Sequence, residues 1–415
     1  MAALNVSGAD ALLKRIFEGP VREILNSQVW ALDNLLDSPH PYEGKGISWS
    51  INTARNPSTG ARADGGTLMS AGSNAYSEAQ ISAKYGYTRG KITGPTLKLS
   101  KSNKGSFARA LASEMKFSLR DMKKEVNFWS WGDGTGVRAT CDSSVTSTTC
   151  EVKWAGQTTP DVSAPGTRFI RKGMPVLVGT SGAIAGGSAL ARVVSSVTDG
   201  DTFEFTASTV QTSGDLIVEG DASGNSYNNV PMGLVGIVDD DTGTFQNISR
   251  SSVPEWKGSV LGNSGTLRSL TEDLIQRAMD KVQIRAGGQI SKMVCDPNMR
   301  RQIVALGLGD KRYADRKIEL GWEVINYAGG AGTVPVYVDV DAPYNKLFGF
   351  DTETVFKAVL EDFHFADDDG HVLRNVSGED GWEYLLRWFG NFVSDNPAAN
   401  FVVEDITCVG VESSV

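Results

Sequence analysis

Residues 106–131 read SFARALASEMKFSLRDMKKEVNFWSW. Phe107, Leu111, Met115, Met122, Val126 and Trp129 recur here at helical steps, which lays apolar side chains along one face of an α-helix. Ser106 supplies an N-cap and Gly132 a stop. At 1.5 Å per residue such a helix spans roughly 39 Å. A helix of that length in a chain otherwise rich in short strands reads as a spine on which a sheet lies. Met115, Met122 and Val126 are therefore expected inside the subunit.

Upstream, the first 40 or so residues read as two short helices. In the second, Val21, Ile24, Leu25, Val29, Leu32 and Leu36 follow Pro20 at helical spacing, and Ser38-Pro39-His40-Pro41 ends it. The polar stretch 44–103 follows, rich in Gly, Ser, Thr and Asn. Its apolar residues alternate weakly: Ile47, Trp49 and Ile51, then Ala83, Tyr85 and Tyr87. The pattern predicts a long two-stranded hairpin with its tip at residues 56–66. So polar a hairpin cannot build its own core. Arg55, Arg62, Arg89 and Lys91 are its charges, expected to meet acidic groups on whatever it packs against.

Downstream, residues 141–254 are β-rich. Short β-branched runs recur about every ten residues between Gly, Asp and Ser. Composition shifts near residues 156–166 and 220–231 mark an inserted, self-contained module at 156–231. A second helix carries Leu270, Leu274, Ala278 and Val282 behind a capping box of Ser269 and Glu272. Then come a strand at 292–295, a helix bearing Met299, Ile303 and Leu306, and strands at 322–327, 334–340, 346–350, 382–393 and 401–411.

The chain has 415 residues, a formal charge of −9 and 46 glycines against 14 prolines. Its acidity argues against a dedicated nucleic-acid binder, which shows a basic excess. Apolar runs fall far short of the ~20 residues of a membrane span, and the N-terminus lacks the charged and apolar regions of a secretory signal. Four cysteines do not make a secreted disulfide framework, and a reducing cytoplasm is the expected site of folding.

Enzyme signatures are thin. Of the three histidines, His364 and His371 flank Asp367-Asp368-Asp369-Gly370, which reads as turn chemistry rather than as a metal site. Gly132-Asp-Gly134-Thr-Gly136 follows a helix, so it reads as a helix stop and not as a phosphate loop. Cys141 and Cys150 bracket a polar turn; a cross-strand disulfide is geometrically conceivable, a zinc pair would need two more ligands nearby, and buried or unpaired thiols fit a cytoplasmic chain better. Basic residues gather at Lys311, Arg312, Arg316 and Lys317 and at Arg120, Lys123 and Lys124. Aromatic interleaving is sparse there, so a solvated face or a subunit contact fits better than a nucleic-acid groove. No catalytic residue, cofactor or metal ligand is assigned.

The order of these parts resembles a tailed-bacteriophage major capsid protein of the Hong Kong 97 fold. Arg15-Ile-Phe-Glu-Gly-Pro-Val-Arg22, Gly60-Ala-Arg62 with Gly65-Gly-Thr-Leu68, and Lys101-Ser-Asn-Lys-Gly-Ser-Phe107 look like the arm, hairpin and helix entry of one branch of that family. Trp131-Gly-Asp-Gly-Thr-Gly136 resembles its helix exit, and Val334-Pro-Val-Tyr-Val-Asp-Val-Asp-Ala-Pro343 with Leu347-Phe-Gly-Phe350 its axial strands. The resemblance implies an α+β fold: N-terminal arm at 1–43, extended E-loop hairpin at 44–103, P-domain spine helix at 104–140, axial A-domain at 255–350, and P-domain strands at 351–415. It implies homo-pentamers and hexamers closing an icosahedral virion shell around double-stranded DNA, without sequence-specific contacts, membrane or cofactor. Scaffold, portal and decoration proteins would be further partners, and assembly would occur in the host cytoplasm. The rival readings are an encapsulin-like compartment shell, a β-rich tail or receptor-binding protein, and an α/β enzyme built around residues 132–136.

Overall fold

The structure is a computed structural model that describes residues 29–40, 42, 46–96, 110–154, 165–309, 325–329, 332–368 and 370–407. Pro20 to Leu25, Ser106, Phe107, Trp322, Cys408 and the basic group at 311–317 lie outside the described residues. Of the expected second helix, the described part is α1 (Trp30–Asn34). Leu35 turns extended, so Leu36 lies not on the helix but in the short strand β1 (Leu36–Asp37), parallel to a later strand.

The hairpin pairs β2 (Ile47–Ala54) with β3 (Ala75–Ile81) in antiparallel register from Ile47↔Ile81 to Ala54↔Ala75. This corrects the predicted return strand. Of the alternating Ala83, Tyr85 and Tyr87, the two tyrosines belong to β4 (Lys84–Thr93), just after Ala83, and β4 pairs with a C-terminal strand instead. The tip is correspondingly longer, residues 55–74.

The long helix α2 spans Ala110–Ser130. Met122 and Val126 are buried as expected, but Met115 and Trp129 are only half-buried. Asn127 and Ser130 are fully buried, so the inner face holds polar groups that a search for apolar spacing passes over.

After the helix, six strands close into a barrel: β5 (Val137–Cys141), β6 (Thr146–Lys153), β7 (Pro175–Gly179), β8 (Leu190–Val197), β9 (Thr202–Val210) and β10 (Leu216–Asp221). The lateral order is β5-β6-β9-β8-β7-β10, and β10 returns to pair with β5 on its other side. Ile217 therefore faces both Ala139 and Val178 in register. Val152, Val176, Val194, Phe203, Phe205 and Ile217 fill the interior, as side chains fill any barrel this small. The expected module boundary at residue 156 is thus corrected. β5 and β6 precede it, and closure leaves neither strand outside.

The remaining chain builds a six-stranded sheet from β11 (Ser259–Leu261), β12 (Lys292–Cys295), β13 (Ile325–Gly329), β14 (Gly332–Val338) and β15 (Leu347–Phe350), followed after two long strands, β16 (Val355–Phe365) and β17 (Gly381–Ser394), by β18 (Phe401–Val403). The order is β11-β18-β15-β12-β14-β13. The helix α3 (Glu272–Ala286) buries Leu274, Ile275, Ala278, Met279 and Val282 in one cluster with Met293, Val336 and Phe401 of the sheet. Its N-cap is Thr271, whose hydroxyl accepts from the Leu274 amide, rather than Ser269, because the helix starts at Glu272. Gly287 closes it at φ 67°, a left-handed conformation that glycine adopts without strain. The helix α4 (Pro297–Gly309) adds Met299 and Ile303 to the same cluster, whereas Leu306 is exposed. Trp30 and Trp131 contact Phe350, and Trp131 also Phe348, at ring distances of 5.4–6.5 Å.

Among the described residues the chain forms two compact units. One draws on stretches 87–124 and 363–388, the other on 29–86, 125–362 and 389–407. In the first, Tyr384 is buried, its hydroxyl 2.6 Å from Ser118 Oγ, and Thr88 Oγ1 donates to Met122 Sδ at 3.2 Å. A Cβ on Gly90 would run into the Tyr384 ring, so this position needs glycine for close approach. The second unit holds the hairpin, the barrel and the six-stranded sheet.

Candidate subunit interface

The hairpin root is anchored and its tip is not. Ile47 and Ile81 are buried with Phe356, Ala358 and Val393. His40 stacks on Trp49 at 4.8 Å between ring centroids and reaches Asp395 Oδ1 at 3.2 Å. Beyond Ile51 this cover ends, and residues 59–76 are all exposed, Leu68 at 83%. The tip is held by its own hydrogen bonds. Asn56 Nδ2 donates to the Gly72 carbonyl at 2.9 Å, Asn56 Oδ1 accepts from the Ser58 amide at 2.8 Å, and Ser58 Oγ donates to the Ser70 carbonyl at 2.5 Å.

The four basic residues singled out in the sequence divide into two pairs. Arg55 and Arg62 lie in the tip, exposed and without an ion-pair partner among the described residues. Arg89 and Lys91 are on β4 and not in the hairpin, and they pair with Glu383 and Glu379 of the same chain. A Cβ at Gly94 would meet Asp380, which leaves little room where β4 ends.

Two buried polar groupings escaped the sequence reading. Arg138 on β5 is 2% exposed and pairs with both Glu125 of α2 and Glu219 of β10, while Arg171 reaches Glu125 at 3.0 Å. Burial pushes the Glu125 carboxyl up, and the Arg138 charge pulls it back. The network ties the end of the spine helix to the barrel. The signal lay in a lone Arg inside an apolar strand and an acidic residue three positions after Met122, on the inner face.

Asn127, the second grouping's hub, accepts from the Ala31 amide at 3.1 Å and donates to Asp341 at 2.7 Å and Asp339 at 3.1 Å. Trp131 Nε1 donates to Asp339 at 2.8 Å. Burial, then the Asp341 charge, raises the Asp339 carboxyl. Nearby, Asp296 caps α4 through the Asn298 and Met299 amides, and burial pushes its carboxyl up to about 6.

None of these groupings pairs a nucleophile with a base and an oxyanion donor. Among the described residues, no three His, Cys, Asp or Glu side chains are placed to hold a metal ion. His364 is bonded to Asp367 at 3.0 Å beside the turn at Gly370. Gly134 and Gly136, at φ 85° and 74°, turn the chain from α2 into β5. A cleft of about 350 Å³ lies between the hairpin root and residues 133–135, 228–232 and 245–247, and within it Lys84 Nζ donates to the Asn228 carbonyl at 2.7 Å.

The model of the SU10 major capsid protein family matches residues 92–379, more than half of the chain. The chain belongs to that family. No curated protein sequence matches it. Among solved structures, the Cyanophage A-1(L) capsid asymmetric unit is similar at 15% identity and a TM-score of 0.61, over 96% of this chain and 98% of the other. The capsid of an empty GTA particle is similar at 9% identity and a TM-score of 0.54, over 98% and 99%. The native GTA particle's capsid is similar at 8% identity and a TM-score of 0.51, over 98% and 100%. At these identities the likeness shows the fold alone, and the fold is the Hong Kong 97 type. The protein is a tailed-phage major capsid protein, a structural subunit that assembles in repeated copies into the virion shell. No helix among the described residues is long and apolar enough to cross a membrane.

Proposed function

We propose that this capsid protein closes into the pentamers and hexamers of an icosahedral shell around double-stranded DNA, and that the β2–β3 hairpin straps each subunit to the next. The observation that carries the strap is the hairpin's own asymmetry: a root fixed in the subunit core and a tip that covers nothing among the described residues. Arg55 and Arg62 are its handles, because a guanidinium fork can grip a carboxylate bidentately across an interface. Arg89 and Lys91 can join such a contact only as pairs already balanced by Glu383 and Glu379. In this reading residues 1–43 are the arm, 104–140 the spine, 255–350 the axial domain and 351–415 the return to the peripheral domain.

The work is geometric, with no catalytic step. A net charge of −9 suits a wall that must not grip its genome, since a basic lining would bind phosphates with large counterion release. Scaffold, portal and decoration proteins are the expected partners, and the host cytoplasm the expected place of assembly. A density map of the assembled particle tests the strap: residues 55–74 should lie within about 4 Å of an adjacent subunit. A tip standing in open solvent overturns it.

A further inference from the structure

The barrel core contains two thiols that the capsid reading leaves without a role. Cys141 on β5 and Cys150 on β6 are both fully buried and free, and their sulfurs lie 3.5 Å apart. Around them are Ala139, Val152, Phe203, Phe205 and Ile217. The environment is apolar, and the nearest acceptor for the Cys150 thiol beyond Cys141 is the Glu151 carbonyl at 3.8 Å.

Their position in the barrel is the informative point. Five of its six seams are paired through three to five residue pairs. The β5–β6 seam has two, Thr140↔Lys153 and Cys141↔Val152, continued by one bond from the Asp142 amide to the Glu151 carbonyl at 2.9 Å, so the two thiols lie diagonally across its end. The two thiols therefore sit at the end of the shortest seam of a closed cylinder, where a covalent bond would reinforce the lateral pairing. We infer that Cys141 and Cys150 form a reversible intrachain disulfide that staples this seam when the chain passes from a reducing to an oxidising medium.

The chemistry balances with a small disulfide as oxidant. One protein thiol loses its proton, and its thiolate attacks a sulfur of glutathione disulfide, releasing one glutathione thiolate. The second protein thiolate then displaces the other glutathione from the mixed disulfide. Two protein S–H bonds and the oxidant's S–S bond become one protein S–S bond and two reduced glutathiones. The sulfurs must close from 3.5 Å to about 2.05 Å. Hydrogen bonding to Cys141 and then burial push the Cys150 thiol up, which disfavours the reactive thiolate. Reaction in the closed barrel is accordingly slow, and it proceeds through brief opening of the seam.

The test uses the full chain incubated with either glutathione disulfide or dithiothreitol, then quenched, alkylated under denaturing conditions and weighed. In the oxidised arm, two of the four cysteines should escape alkylation, and a non-reducing digest should yield a peptide bridging 141 and 150. The oxidised chain should melt several degrees above the reduced one. Cys150→Ser should abolish both effects, and Cys295→Ser neither. Four alkylated thiols after oxidation, or a bridge through Cys295 or Cys408, overturns the assignment, and the wild-type masses decide this even if a variant fails to fold. A 141–150 bridge that leaves the melting temperature unchanged overturns the stapling role.

Discussion

The barrel and the hairpin are both antiparallel β-structure, yet they are stabilised in opposite ways. The barrel pairs every strand on both sides and buries its own core, with Phe203 and Ile217 fully enclosed. The hairpin pairs two strands, buries only the residues at its root, and extends an exposed tip of residues 55–74. Ordering a residue costs roughly 1–2 kcal/mol of backbone entropy, and a two-stranded hairpin is marginal by itself. The barrel offsets that cost privately. The hairpin does so only at its root and through a few turn hydrogen bonds, which is why the proposed strap places its outer half against a neighbour.

That contrast can be broken most forcefully at the barrel's junction with the spine helix. Arg138→Ala leaves Glu125 buried without its main partner, and should destabilise the isolated subunit by about 3–5 kcal/mol, read from urea unfolding. A loss below about 1 kcal/mol would mean the network is not what fixes the barrel to the helix.

A smaller effect should come from Asp296 under the six-stranded sheet. Its carboxyl is raised from 3.8 to about 6 by burial, so the folded chain holds the proton more tightly than the unfolded chain. Stability from this group is therefore present at low pH and falls as pH rises through about 6, by about 3 kcal/mol in total. Urea midpoints from pH 4 to pH 7 should fall more steeply for the wild type than for Asp296→Asn, which carries no charge there. Equal slopes would remove Asp296 from the account. Variants at Arg55 and Arg62, exposed in the tip, should leave the profile unchanged.

At the hairpin root, Ile81→Ala opens a small cluster and should cost about 2 kcal/mol. At the tip, Leu68→Ser should change the free chain's stability by no more than about 0.5 kcal/mol. If the tip variant proved as costly as the root variant, the division of the hairpin into anchored and unanchored halves would fail.

What the sequence revealed follows the range of the interactions involved. The spine helix, α3 and the strand at 292–295 were legible because each is set by spacing within one segment. The hairpin's return strand was not, because Ala75–Ile81 and Lys84–Thr93 both alternate, and only pairing with distant β17 separates them. The barrel's extent was missed for the same reason: β10 must fold back onto β5, about eighty residues earlier, before β5 is recognisable as part of it. Arg138 and Asn127 look like surface residues in one dimension, and their burial depends on Glu125, Glu219 and Asp339 arriving from elsewhere. For the proposed interface, Arg55 and Arg62 were recognisable as exposed charges on a polar loop. The internal partners of Arg89 and Lys91 were not, since Glu383 and Glu379 lie nearly 300 residues away.

The most direct test of the strap reverses its two handles. Arg55→Glu combined with Arg62→Glu changes charges that touch no acidic group in their own chain among the described residues, so circular dichroism and urea unfolding of the free subunit should match the wild type. A single exposed ion pair contributes only about 0–1 kcal/mol, but the proposed contact would repeat at every subunit of the shell. Sedimentation should therefore show the double variant failing to form the megadalton particles that the wild type forms under the same conditions. Particles of normal size and yield from a normally folded double variant would contradict the claim that the hairpin's charges hold neighbouring subunits together.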